Sequence, residues 1–433
     1  MEQRGFHGQE EQERFLQPRL RDLSDPLRLP DMEAAVRRVK EALQRNESIL
    51  IYSDYDVDGM SSSALLYRFL IKLGARVRVF IPERMSEGYG LSLGGLERAL
   101  EGGATDLVLA LDCGTTSVGP VSSLREKGID VVILDHHELP EDGLPPANVM
   151  VNPQKGTEDR YLATAGIVFK FCHAFLKLEQ REDLFDLKQH LDFVALGTVA
   201  DLVPLEHDNR ILVRYGLEQM AATAHVGLRA LMQTAGVRGA PSPSTVGYML
   251  GPRLNASGRL AEALSGWKLL TTHDPVEADG IAKELDSLNR ERQRLEAGVV
   301  EEALEMVENL PEEQRKRCLV LASRQWHQGV IGIVASRLQR KYHLPTIVIS
   351  VDEQGRGKGS GRSLPGCSMM DALRANHGFL GKFGGHPMAA GLEIEEKQVD
   401  AFREAMNRWV EGEIAREVFA PSLEIDMQLP SGH

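Results

Sequence analysis

The chain has 433 residues, 42% hydrophobic and 26% charged, with a formal net charge of −13. This is globular composition with length for two to three domains, and it excludes a largely disordered chain, a collagen and a disulfide scaffold. The longest apolar runs fall well short of the ~20 residues of a membrane span, and the polar start MEQRGFHGQEEQER has no apolar secretory core.

In chain order, residues 1–30 read as a polar arm. Asp31 opens a helical pattern to Leu43, with Ala35, Val36, Val39 and Leu43 spaced for one face. SILIYS (48–53) predicts a buried strand, and SSSALLYRFLIKLG a helix stopped at Gly74. VRVFI, DLVLAL and VVIL repeat the strand signal, each followed by helix-compatible sequence. Such alternation indicates α/β architecture, a mainly parallel sheet with helices on both faces. Ligands bind such sheets outside the carboxyl ends of the strands. Leu187–Ala200 reads as a helix and Ala235–Ser244 as a loop. Residues 276–310, rich in Glu, Leu, Arg and Ala, read as one long connecting helix ending at Pro311. CLVLAS and TIVIS, with the helix candidate IGIVASRLQRKY between them, predict a second α/β domain. The expected division is an arm (1–30), a first domain (31–275), the connecting helix (276–310), a second domain (311–420) and a tail (421–433), with the active-site cleft between the two domains.

Two compositional features bear on location and partners. Cys113, Cys172, Cys318 and Cys367 stand far apart without a CxxC pair and read as reduced cytosolic thiols. The acidic balance disfavours a polyanionic partner, yet residues 315–362 hold ten Lys/Arg against only Asp352 and Glu353. That stretch is either a groove for a polyanion or a solvated basic surface.

Four apolar runs end in chemistry. SILIYS runs into Asp54-Tyr55-Asp56-Val57-Asp58-Gly59, LVLAL into Asp112, VVIL into Asp135-His136-His137-Glu138, and FVALGTVA, treated as a fourth strand end, into Asp201. Carboxylates gathered on one rim repel, and bound cations resolve the conflict. A mixed Asp/His set suits Mn²⁺, Mg²⁺ or Zn²⁺, and two ions sharing a carboxylate would activate a water and stabilise a leaving oxygen. Each piece has another reading. DxDxDG opens a calcium loop, but the twelfth position is Leu65 rather than Glu. DxD after a strand suits an aspartyl-phosphate nucleophile, which leaves the later His pair unexplained. Asp58 is expected to cap the helix that follows it.

DYDVDG, LDCGTT, LDHHE and ALGTVADLVPL together resemble, in order, the motifs of the DHH phosphoesterase superfamily. FLQPRLRDLSDPLRLPDM, PERMSEGYGL, GPRLNASGRL, WHQGVIGIVASRL, SGRS and FGGHPMAAGL narrow the resemblance to the RecJ family of single-strand-specific 5′→3′ DNA exonucleases, from about Phe15 to Leu392. The resemblance implies metal positions at Asp54, Asp56, Asp112, His136 and Asp201, with Asp112 bridging two Mn²⁺ or Mg²⁺ ions and acting with His136 and His137 in catalysis. It implies hydrolysis of the phosphodiester nearest a 5′ end, release of mononucleotides without a covalent enzyme intermediate, and work in DNA repair or recombination. The second domain resembles the DHH-associated substrate-binding domain. There SGRS (Ser360, Arg362, Ser363) and FGGH (His386) read as glycine-rich loops able to approach phosphates, or as tight turns. Arg84, Arg253, Arg259 and Gln328 are implied contacts to phosphates or the 5′ end. Trp326 and Tyr89 either stack on bases or fill a core, and His327 is a phosphate contact or a structural residue.

Single-stranded DNA is the implied partner, with a single-strand-binding protein or a helicase as companion. A cytoplasmic monomer without membrane contact is the default expectation. Family members of the usual length continue into an OB-fold. This sequence leaves no room for that barrel after His386, so a weaker grip on the strand is expected. Other readings are a DHH phosphoesterase acting on short oligonucleotides or a small nucleotide phosphoester, a manganese pyrophosphatase, and a scaffold that has lost catalysis. The N-terminal arm, the basic stretch and the filled metal positions speak against them in turn.

Overall fold

In a computed structural model of the chain, which describes residues 7–83, 90–140, 143–157, 159–260, 263–423 and 425, two units are distinguished, Met1–Asn289 and Arg290–His433. In the first, helix α1 (Gln9–Leu16) and two 3₁₀ turns form the arm. Helix α2 (Met32–Gln44) starts after Asp31, whose left-handed φ of 61° keeps it outside the helix. The chain continues through β1 (Ser48–Ser53), α3 (Val57–Lys72), β2 (Arg76–Phe80), α4 (Leu93–Glu101), β3 (Leu107–Leu111), α5 (Val118–Glu126), β4 (Asp130–Leu134) and β5 (Val149–Val151). The helices α6 (Thr164–Glu179), α7 (Leu191–Ala200), α8 (His207–Ala221), α9 (Val226–Thr234), α10 (Gly251–Leu260), α11 (Leu264–Thr271) and α12 (Pro275–Asn309) follow.

The five strands are parallel, in the order β2-β1-β3-β4-β5. Alternate residues serve opposite faces. Ile49, Ile51, Leu107, Leu109, Val132 and Leu134 join a core with α2, α3, α6 and α7. Leu50, Tyr52, Val108, Ala110, Val131 and Ile133 meet Leu96 and Ala99 of α4 and Val121 and Leu124 of α5. Burial on both faces explains why these strands read as continuous apolar runs.

The strand order reverses direction between β1 and β3. Connections leave the two strands on opposite sides there, which opens a crevice at their carboxyl ends. The pairing register makes those ends level, with Ser53 opposite Leu111 and Leu111 opposite Leu134.

The 35-residue helix α12 carries the chain into the second unit. That unit comprises β6 (Leu319–Ser323), α13 (Ile331–Tyr342), β7 (Thr346–Val351), β8 (Arg356–Arg362), α14 (Met369–Ala375), β9 (Leu380–His386), β10 (Ala389–Glu395) and α15 (Val399–Glu413). Its mixed sheet has the order β6-β7-β8-β10-β9, parallel only between β6 and β7. Here the structure corrects the reading of SGRS and FGGH as loops. Ser360-Gly361-Arg362 ends β8, and Phe383–His386 ends β9. The glycines of β8 reflect crowding rather than turning. Side chains at 357, 359 and 361 would meet Ile349 and Ile394, Leu392, and Met369, which already fill the inner face.

Candidate metal centre

The ladder hydrogen bonds run one residue past the strand ends. Asp54 N donates to Leu111 O (3.2 Å), Asp112 N to Leu134 O (3.1 Å) and Asp135 N to Val151 O (3.2 Å). Three carboxylates therefore stand in a row at the crevice, all buried. Asp112 has φ of 59°, a left-handed conformation that Asp tolerates better than most residues.

Ligand atoms of Asp54, Asp56 and Asp112 lie within 4.8 Å of one another, as do those of Asp58, His136 and Asp201, and those of Asp112, His136 and His137. His136 Nε2 sits 3.4 Å from both Asp112 Oδ1 and Asp201 Oδ2, without hydrogen-bond geometry to either. All five predicted metal positions thus converge. One premise is corrected: Asp201 leaves the C-terminus of helix α7, its N–H still bonded to Gly197 O (3.0 Å), and no strand ends there.

Asp58 also departs from expectation. The cap of α3 is Asp56, whose Oδ1 accepts from Gly59 N (3.0 Å). Asp58 instead accepts from Thr164 N (2.8 Å) and Ala165 N (2.9 Å), and so caps α6. Gly197 of α7 makes room for it, since a Cβ there would fall 2.5 Å from Asp58 Oδ1. Thr164 Oγ1 donates to Asp112 Oδ1 (2.9 Å).

Asp135 is the residue whose role the sequence hid. Its Oδ1 accepts from His136 N (2.8 Å) and pairs with His137 Nδ1 (2.6 Å), while Oδ2 accepts from Thr115 N (3.0 Å). Asn152 Nδ2 donates to His137 O (2.9 Å) and Thr115 Oγ1 (3.1 Å). The motif marks Asp135, but nothing in the sequence marks Thr164 or Asn152, whose roles arise from tertiary packing.

The electrostatics show what so many acids in one place require. Burial, then Asp112 and neighbouring carboxylates, push Asp56 and Asp58 well above the usual carboxylate range. Burial, reinforced by Asp112, lifts Asp201 to about 6 against the opposing His136. Burial opposes charge on His136, yet Asp112, Asp201 and Asp58 outweigh it and raise the imidazole to about 10. Asp135, likewise against burial, raises His137 to about 9. Asp112 is lowered because His136 and His137 outweigh its own burial. The protons and imidazolium charges stand where a divalent cation would relieve the same repulsion. The oxygen-rich donors with one imidazole fit Mn²⁺ or Mg²⁺. The adjacent Cys113 is buried among Tyr52, Val108 and Ile133 on the far face of the sheet, so the set has no thiolate.

Helix α10 packs close to this site, with Gly258 against Tyr55 and Gly251 against Ala200. Arg253 on it is held by Asp286, through Nε and Nη2 at 2.9 Å, and donates Nη1 to Met249 O (2.7 Å). Arg259 lies half-buried in the last turn of α10. Arg84 and Tyr89 lie outside the described residues.

In the second unit, Arg362, Ala389 and His386 form one row across β8, β10 and β9. Arg362 Nη1 donates to Ser360 Oγ (3.0 Å) and Gly361 O (2.7 Å). Ser363 is buried with its hydroxyl donated to Cys367 O (2.5 Å), which makes it a structural turn residue. Gln328 and Lys358 line a groove of about 960 Å³ within this unit. Trp326 is a core aromatic, its indole N–H donating to Glu302 Oε2 (2.7 Å). His327 Nδ1 accepts from Gly329 N (3.1 Å). Much of the basic stretch is neutralised by partners: Lys316 by Glu411, Arg324 by Glu396, Arg337 by Glu296 and Arg356 by Asp352.

Residues 48–198 match the family model of the DHH family, N-terminal domain, and residues 315–412 match the DHHA1 domain. The single-stranded-DNA-specific exonuclease RecJ of Dickeya dadantii is 40% identical over 423 residues, covering 93% of this chain and 72% of that protein. The chain belongs to the RecJ family. The RecJ of Bacillus subtilis is 38% identical over 98% of this chain, which spans only 53% of that relative's length. A crystal structure of exonuclease RecJ bound to manganese superposes with a TM-score of 0.78 at 35% identity, over 88% of this chain and 95% of that one. Among the described residues of this RecJ-family chain, no helix is long and apolar enough to cross a membrane.

Proposed function

We propose that this chain hydrolyses single-stranded DNA from its 5′ end and releases mononucleotides. The observation that carries the reading is the level row of Asp54, Asp112 and Asp135 at the sheet's reversal point, with His136 between Asp112 and Asp201, in a RecJ-family chain. Asp54, Asp56, Asp112, His136 and Asp201 would hold two Mn²⁺ or Mg²⁺ ions, Asp112 serving both. When bound, such ions acidify water and offset charge on the attacking and leaving oxygens.

The chain's own residues supply orientation and charge. Thr164 fixes the rotamer of Asp112. Two backbone N–H groups of α6 hold Asp58, which braces the floor of the site. Asp135 orients His137 through Nδ1 and, in the metal-free protein, favours its protonated form. His137 thereby brings positive charge to a phosphate oxygen and a proton toward the leaving 3′ oxygen. Arg253, Arg259, Gln328, Ser360, Arg362 and His386 would bind phosphates, Arg362 as a charge-assisted donor. In this reading residues 31–275 do the chemistry and 311–420 bind substrate. Four buried, unbridged cysteines support a cytoplasmic site of action.

The decisive assay uses 3′-labelled single-stranded DNA with Mn²⁺, beside a duplex, a dinucleotide and pyrophosphate. The expected result is a ladder shortening from the 5′ end of the single strand only. Turnover of dinucleotide or pyrophosphate without that ladder rejects the reading.

Metal binding should also depend on pH. Without metal His136 is protonated up to about 10 and Asp201 up to about 6. An ion must displace those protons, so Mn²⁺ affinity should rise with pH, by up to about tenfold per unit for each proton released. The rise should be steepest below pH 6, where both groups carry protons. Calorimetry in buffers of different ionisation enthalpy reads the protons released, and a pH-independent affinity would contradict the ligand assignment.

A further inference from the structure

Helix α7 ends at Ala200, two residues before Leu202. Asp201 keeps right-handed geometry, and Leu202 then turns left-handed, with φ of 63° and its N–H bonded back to Val199 O (3.3 Å). This is the stop position where glycine is usual, because a Cβ crowds the following carbonyl. Leu202 gains little within the fold in return, since it is 84% exposed. On the fold's account alone, glycine or asparagine would serve better. A strained backbone persists where the surroundings use what it presents.

What it presents is an apolar side chain beside the metal centre. The Cα atoms of consecutive residues are about 3.8 Å apart, so Leu202 adjoins Asp201, which lies 3.4 Å from His136. Any phosphodiester cut at this cluster carries a nucleoside on either side, and Leu202 is an exposed apolar residue directly next in the chain to a member of the cluster. The same end of α7 is flanked by the π-helical turn Val246–Leu250, which packs on it and holds Tyr248 83% exposed. π-helical turns occur frequently at functional sites.

We propose that Leu202 packs against a nucleobase flanking the scissile phosphate and so sets the strand in register over the metal centre. The proposal rests on the exonuclease reading above. It explains why an unfavourable residue stands at this helix end: the contact is made by the substrate. Apolar packing of an aliphatic side chain against a base tolerates any sequence, because every base offers a flat face of low polarity.

The test pairs an enzyme change with a substrate change. In the full chain, Leu202→Gly and Leu202→Asn should leave the melting temperature unchanged or higher, since both residues accept the left-handed turn. On ordinary single-stranded DNA both variants should raise KM by about tenfold, the order expected on removing one packed leucine side chain. On a strand whose first two residues are abasic, wild type should lose about the same factor and the variants nothing further. Ordinary KM in both variants, or an equal additional loss on the abasic strand, overturns the proposal. A fall in melting temperature matching the loss of activity overturns it in favour of a structural role. If wild type fails to shorten single-stranded DNA in the parallel reaction, the exonuclease reading falls first and takes this contact with it.

Discussion

Asp112→Asn is expected to lower hydrolysis of single-stranded DNA by about 10³-fold, the upper range for loss of one electrostatic group at a reacting centre. The substitution is chosen because it changes charge and little else. Asparagine tolerates φ of 59° at this position, and its carbonyl can still accept from Thr164 Oγ1. Without metal the substitution has two opposing effects: it relieves the repulsion that pushes Asp56 and Asp58 upward, and it gives up the attraction of the Asp112 carboxylate for His136 and His137. The expected signature is therefore loss of the rise in melting temperature that Mn²⁺ produces in wild type. Thermal melts with and without Mn²⁺, beside the 5′-end assay, read both. Substantial activity with a normal Mn²⁺-induced rise would mean that Asp112 is not the shared ligand.

The parts of this centre legible in the sequence were those fixed by chain-local rules. A parallel strand buried on both faces announces itself as an apolar run, and SILIYS, LVLAL and VVIL do so without ambiguity. The residue after each strand end is then placed by the ladder, which is why Asp54, Asp112 and Asp135 share a row. What failed depended on partners remote in sequence. Asp58 reads as a cap for its own helix, yet its acceptors are satisfied by Thr164 and Ala165, more than a hundred residues on. Asp201 follows a run, FVALGTVA, whose composition suits a buried strand or a buried helix equally, because both are apolar all round. The glycines of β8 and β9 signalled turns, but in β8 they answer to the bulk of Ile349, Leu392, Ile394 and Met369 in neighbouring elements. In each case the local signal was real and tertiary crowding decided its meaning.

Lys170→Met should destabilise the first unit by about 3–5 kcal/mol, the cost of stranding buried carboxylates without their cation. Lys170 lies on α6 with its side chain 3% exposed. Its ammonium contacts Asp208 and Ser24 Oγ, donates to Ser24 O (3.2 Å) and stands 3.6 Å from Asp159. Ser24 in turn donates its N–H to Asp208 (3.1 Å) and its hydroxyl to Asp159 (2.7 Å). This knot fastens the N-terminal arm to both segments that frame the metal centre. Helix α6 holds Asp58 and Asp112 through its first turn, and Asp208 opens α8 after the segment that begins at Asp201. Asn209 secures that segment by donating to Pro204 O (3.0 Å) and Tyr161 O (2.7 Å). The exposed pair Lys177–Asp25, also between α6 and the arm, provides the control. Lys177→Met should cost no more than about 1 kcal/mol. Adding Asp208→Asn to Lys170→Met should recover part of the loss, because one stranded charge is removed with its partner. Mn²⁺ affinity should fall in Lys170→Met although no ligand has changed. Equal melting temperatures for the Lys170 and Lys177 variants would show that the buried knot is not what anchors the arm.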